Sequence, residues 1–130
     1  MRNVFVFPAG ERARTVSWLD RHAPAQREPW HVAGCLWVEI DDERSGLLFH
    51  DWEPEDVAVL EAAVGHRPTW AARIDVSGRV NGRPEVRQLV GLLLAHGGVA
   101  VDDHSAHPWT APEIASDTPV GGLRFFNSPG

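Results

Sequence analysis

Thr69-Trp70-Ala71-Ala72-Arg73-Ile74-Asp75-Val76 alternates without a break, Trp70, Ala72, Ile74 and Val76 on one side against Thr69, Ala71, Arg73 and Asp75 on the other. A period of two over eight residues marks a strand with one buried face. Charge at Arg73 and Asp75 puts the second face in water or against a polar partner. A doubly wound parallel sheet buries both faces of its inner strands, so this stretch argues against that architecture.

The chain reads outward from here in both directions. Ser77-Gly78 and Asn81-Gly82 turn it after the strand, and Pro84 opens a long helix with Val86, Leu89, Val90 and Leu93 inward and Gly97-Gly98 as its cap. Val99 and Val101 belong to a further strand, and Leu123 to Phe126 to a terminal edge strand. Upstream, Pro54 suits the first position of a helix whose apolar face is Val57, Leu60 and Val64 and which Gly65 ends. Val32 to Ile40 reads as one strand, with Leu36, Val38 and Ile40 on one side and Cys35, Trp37 and Glu39 on the other. Val4 to Phe7 forms the first strand, followed by a helix over 11–23 that Pro24 closes. The stretch 42–52 reads as a turn into a short hairpin strand over Leu47 to His50, or as loop throughout.

Strands alternating with helices exclude the all-α and all-β classes. The expected fold is α+β in a single domain over residues 1–130. It is a two-layer α/β sandwich with a mixed four- to five-stranded sheet, helices mainly on one face, and a ferredoxin-like arrangement.

Composition limits the function classes. A net charge of −6 and scattered arginines speak against nucleic acid and anionic membrane as partners. No apolar run reaches the ~20 residues of a membrane span. The lone Cys35 forms no internal disulfide, and Met1 to Pro8 lacks a secretory core, so a cytoplasmic protein is expected. Lysine is absent, which removes Schiff-base chemistry and a phosphate-loop lysine.

Polar chemistry concentrates between Gly97 and Glu113. Asp102, Asp103, His104 and His107 offer oxygen and nitrogen ligands of the kind that hold Zn, Mn, Fe or Ni. The plainer reading is structural: Asp103 and His107 tie the C-terminal segment to the sheet, His107 bonding a nearby backbone carbonyl. Thr110 and Glu113 then form a capping box for a short helix. Asp41 and Asp42 end one strand, Asp75 lies near the end of the next, and Asp102 and Asp103 end another. These acids meet at one edge in a parallel sheet and separate in a mixed one. Cys35 in mid-strand reads as a small core residue, and no serine sits in a nucleophile elbow.

Six tryptophans are a large load for 130 residues. Trp37 falls opposite its strand's apolar face and Trp109 borders a polar loop, where an indole serves as a binding anchor. Beside them stand Asp41, Asp42, Glu43, Asp51, Glu53, Glu55 and Asp56.

Trp52-Glu53-Pro54-Glu55-Asp56 and the stretch Gly97 to Ile114, with its Gly-Gly-Val-x-x-Asp-Asp-x-Ser-x-His-x-Trp-Thr pattern, resemble a group of small uncharacterised bacterial α/β proteins. The resemblance runs from the second strand to the short C-terminal helix. Some members are similar in size and acidity to immunity proteins, which bind and silence a toxin enzyme. It implies a shared fold and assigns no catalytic residue.

The expected function is a non-enzymatic, acidic, protein-binding module, an immunity-type inhibitor of a basic partner that uses no cofactor. Its binding residues are expected among Asp41, Asp42, Asp102, Asp103, His104, Trp109 and Trp37. The alternative is a small metal-dependent or acid/base enzyme built on Asp102, Asp103, His104 and His107. Oligomeric state is left open.

Overall fold

The structure is a computed structural model that describes residues 2–23 and 28–126. Among these residues β1 (Arg2–Pro8) is followed by α1 (Arg12–His22), β2 (Trp30–Val32), β3 (Leu36–Asp42), α2 (Pro54–Val64) and β4 (Trp70–Val76). Then come α3 (Arg83–Leu93), β5 (Gly98–Asp102), β6 (Trp109–Thr110) and α4 (Ala111–Ala115). The strands form one open sheet in the order β2-β3-β4-β1-β5-β6, and every pairing is antiparallel. The expected mixed sheet of four or five strands is corrected on both counts. No helix among the described residues is long and apolar enough to cross a membrane.

Local chemistry accounts for the extra strands. The stretch Val32 to Ile40, read as one strand, is a hairpin, because Ala33 and Gly34 take positive φ of 56° and 76° and turn the chain back. Cys35 therefore sits in the turn and not within a strand. β6 is two residues long and lies against the start of β5. Leu123 to Phe126 forms no edge strand: Leu123 pairs with Val120 in a tight turn, and Phe125 and Phe126 plug into the core. Leu47 to His50 is turn, and the Pro24 assigned to closing α1 lies outside the described residues.

The middle four strands, β3-β4-β1-β5, come from two interleaved units, β1-α1-β3 and β4-α3-β5. Each helix carries the chain over one intervening strand, so neighbours in the sheet run oppositely. The alternation in β4 sorts as the sequence indicates. Ile74 and Val76 join Val4, Val6, Leu36, Val38 and Ala100 beneath Leu19 of α1, Val86, Leu89 and Val90 of α3 and Ile114 of α4. Each such aliphatic side chain stabilises the fold by about 1.5–3 kcal/mol on burial.

The second face is divided. Over β1 and β5, Leu60 of α2 packs with Phe7, Ala71, Val99 and Val101, and Phe5, Phe49 and Trp52 join them. Trp52 meets Phe5 and Phe7 edge-on at centroid distances of 5.5 and 5.9 Å, and Phe49 stacks on Phe7 at 6.0 Å. Among the described residues no helix lies over the other half, formed by β2, β3 and the Arg73–Asp75 part of β4. Three helices therefore cover one face, and one helix covers half of the other.

Candidate functional site: the open half of the sheet

Antiparallel register builds this surface rung by rung. Glu39 on β3 lies opposite Arg73 on β4, and Arg73 opposite Phe5 on β1. In the next rung Trp37 faces Asp75, which faces Asn3. Because side chains alternate, Asp41 shares the face with Glu39 and Trp37. Strand pairing alone brings these groups together.

Arg73 is the hub. Its Nη1 donates to both oxygens of Asp41 at 2.9 and 3.0 Å, its Nη2 to Glu39 at 3.0 Å, and its Nε to Asp75 at 3.4 Å. Asn3 donates its side-chain amide to Asp75. Asp41 is 1% exposed. Burial pushes the Asp41 carboxyl above its ordinary value, Arg73 pulls it back, and Glu39 and Asp75 push it up again. Asp75 is raised likewise, by burial foremost, against Arg73. For Arg73 burial works downward, and Asp75, Asp41 and Glu39 outweigh it, so its pKa rises. Three carboxylates about one guanidinium leave a surplus of negative charge.

Trp37 stands beside this network with 41% of its surface exposed. Its ring lies flat on His31 of β2, with centroids 4.0 Å apart and planes 6° from parallel. Leu47, also 41% exposed, borders a cavity over Asp41 and Arg73. Asp51 and Trp52 form part of that cavity's wall and also of a neighbouring one of about 530 Å³, which holds Asp56, Asp103 and His104. The Asp51 carboxylate is almost fully exposed.

The expected binding residues do not act as one group. Trp37 and Asp41 belong to this face, although Asp41 is engaged by Arg73. Asp103 and His104 lie at its far end: Asp103 accepts the Asn3 backbone N–H at 3.3 Å, and His104 meets Arg2 at 3.1 Å. Asp42 is elsewhere, closing a turn with Ser45 at 2.8 Å and pairing with Arg12 at 3.3 Å. Two assignments are corrected. Asp102 is buried, its Oδ1 accepting the N–H groups of His104 and Ser105 at 3.1 and 3.2 Å and its Oδ2 that of Phe126 at 2.8 Å. Trp109 is 0% exposed and meets Phe125 edge-on. Asp102 shares the Ala100 face of β5 and Trp109 pairs with Ala100 from β6, so both turn toward the helices and neither reaches a partner.

The metal-ligand candidates are likewise dispersed. Asp102 faces backbone N–H groups, His107 meets the Glu113 carboxylate at 3.2 Å, and only Asp103 and His104 approach each other, at 3.4 Å, while they also meet the Asn3 N–H and Arg2. Among the described residues no group of three or more His, Cys, Asp or Glu side chains is placed to hold an ion. The segment acts instead as a clasp. Thr110 accepts the Glu113 N–H, and Glu113 accepts the Thr110 N–H at 2.9 Å, the reciprocal capping box. Burial works to raise the Glu113 pKa, but the bonds from Thr110 and His107 hold it below the ordinary value. His107 bonds a carboxylate, not the backbone carbonyl expected of it.

Sequence reading treats Arg73 as a marker of exposure and overlooks it as the hub; Asn3 and His31 escape it entirely. The signal available is parity: Trp37, Glu39 and Asp41 share one face, as do Arg73 and Asp75. Only the pairing of β3 with β4 joins the two sets. No protein-family model matches the chain, and neither a curated protein nor a solved structure does.

Proposed function

We propose that the chain is a non-enzymatic binding module for a basic protein, an inhibitor of the immunity type, and that it docks through the open half of its sheet. The observation that carries this reading is Trp37: a large indole, 41% exposed and held rigid against His31, set beside a carboxylate-rich network. A fixed aromatic contributes contact area at little entropic cost, and the surrounding acids steer a cationic partner and set its orientation. The resemblance to small bacterial proteins points the same way and belongs to the proposal. So does the finer description of the fold as a two-layer sandwich of ferredoxin-like type, with α2 added on the second face. A cytoplasmic setting accords with the lone Cys35.

Affinity capture with the chain as bait tests the reading when paired with surface variants. Trp37→Ala and Glu39→Gln touch a half-open face and leave the fold intact. The expected result is one basic protein retained in stoichiometric amount, released at about 0.5 M salt, where exposed charges are screened within a few ångströms. Both variants should lose it. Retention that ignores salt and both substitutions, or no stoichiometric partner at all, rejects the proposal.

A further inference from the structure

The opposite, helix-covered face carries a feature that partner docking does not use. A cavity of about 510 Å³ opens between α1 and the C-terminal end of α3. Arg14, Trp18 and Arg21 line it from α1, while Leu92, Leu93 and His96 line it from α3 and the turn that follows. Spacings of four and three residues put Arg14, Trp18 and Arg21 on one helical stripe, and the two guanidiniums stem from positions about 10 Å apart along the axis. Among the described residues no carboxylate lines the cavity. In a chain of net charge −6, a concave site with two arginines, an imidazole and no acid runs against the overall field.

Three further features bear on what fits there. Trp18 stacks on His22 at a centroid distance of 4.2 Å, and His22 Nδ1 lies 2.8 Å from the Trp18 carbonyl, so the indole wall is fixed. Leu92, 49% exposed, gives the opposite side an apolar surface. Arg14 folds back toward Gly10, where an added Cβ would stand 3.4 Å from the Arg14 Nη1. That places a guanidinium at the start of α1, whose first turn has no acidic side chain and whose N-cap Glu11 supplies no side-chain bond. Among the described residues Arg14 and Arg21 form no salt bridge with any carboxylate.

We infer that this cavity is a binding site for a small organic anion, with an apolar, ring-sized body between Trp18 and Leu92, a carboxylate or phosphate head held by Arg14 and His96 at the Gly10 end, and Arg21 adding positive charge at the other end. The volume suits such a ligand, since small-molecule pockets span about 300–1,000 Å³. Guanidiniums match carboxylate and phosphate oxygens in a planar, two-point geometry. The site is independent of the sheet face assigned to a protein partner.

Calorimetry with phenyl phosphate and 3-phenylpropionate tests the assignment, with inorganic phosphate and benzyl alcohol as the two halves of the ligand. Both arginines are exposed, so Arg14→Gln, Arg21→Gln and the double variant should fold, as thermal melting will check. Saturable one-to-one binding of either phenyl anion is expected. It should be at least tenfold tighter than either half, and about tenfold or more weaker in the double variant. Partner capture through Trp37 should be unchanged in that variant, which keeps this site's failure separate from the other's. Three results would overturn the inference: no saturation by either phenyl anion, equal affinity for inorganic phosphate, or undiminished binding by the folded double variant.

Discussion

Replacing Arg73 with Met removes the guanidinium on which Glu39, Asp41 and Asp75 converge and keeps a side chain of related length. Asp41 is 1% exposed and accepts two of the lost hydrogen bonds, so the variant retains a buried carboxylate without its counterion. Taking one partner from a buried ion pair costs about 3–5 kcal/mol. Glu39 adds little, because its carboxylate is 39% exposed, and Asp75 keeps its bond from Asn3. A loss near the lower end, ~3 kcal/mol at pH 7, corresponds to a fall of about 11 °C in Tm for a chain of this length.

The sign of the pH dependence follows from burial. Burial already holds Asp41 and Asp75 above their ordinary values against the pull of Arg73, and both rise further without it. A carboxyl raised in the folded state binds its proton more readily there than in the unfolded chain. Its penalty is full above the folded-state pKa and fades as pH falls toward the ordinary carboxylate range. Urea unfolding followed by tryptophan fluorescence should show Arg73→Met regaining stability between pH 7 and pH 5 relative to the parent. Adding Asp41→Leu should restore most of the loss at pH 7, because an apolar pair replaces a buried charge. A loss below ~1 kcal/mol, within the range of unremarkable substitutions, or a loss identical at both pH values, would refute the hub.

Gly98→Ala should cost more than ~3 kcal/mol as a backbone clash. Gly98 has φ of +106° and an added Cβ would lie 2.2 Å from the Phe7 carbonyl oxygen, so an unchanged thermal melt would contradict the β1–β5 geometry. Asp102→Ala strips acceptors from three backbone N–H groups and should cost about 2–4 kcal/mol. Faster proteolysis near Phe126 should accompany that loss, and a stable, protease-resistant variant would argue against the clasp. Thr110→Ala should cost about 1 kcal/mol as a lost helix cap, measured by urea unfolding. Glu113→Gln has a pH signature: with its pKa lowered in the folded state, Glu113 contributes fully above the ordinary glutamate value and loses that contribution as pH falls through the folded one. Parent and Gln variant should therefore converge in acid, and a gap that widens there would contradict the assignment.

Element type was legible wherever one period dominated. Thr69 to Val76 sorts its side chains in the structure as the alternation indicates, and α2 starts at Pro54 and ends at Gly65 as its punctuation indicates. The Thr110–Glu113 box was readable because capping is local chemistry. The failures have physical causes. A hairpin at Ala33-Gly34 hides in an apolar run, because a turn built on positive φ needs no change in hydropathy. Strand direction is not local at all: the fate of the strand-end acids is set by β1 lying between β4 and β5. Trp109 and Asp102 look alike on paper as polar-loop neighbours, but both lie on the helix side of the sheet, where Phe125 and Phe126 complete their cover.

The division of the second face has an electrostatic cause that bears on function. α2 lies where the sheet offers Phe7, Ala71, Val99 and Val101, side chains whose burial is favourable. Its first turn carries Glu55 and Asp56, which suit the positive end of a helix but would repel Glu39 and Asp75. Laying α2 over Arg73 would strip the remaining water from this network, chiefly from the Glu39 carboxylate, which is 39% exposed, and apolar contact does not offset that cost. Among the described residues no helix covers that half, and only the 47–52 segment reaches over Asp41 and Arg73. Under the proposed docking, cations from outside would complement this surplus, and Trp37 and Leu47, each 41% exposed, would supply the apolar contact that charge steering alone lacks. A basic loop with an apolar tip would satisfy both features at once, the shape of partner on which the capture experiment should converge.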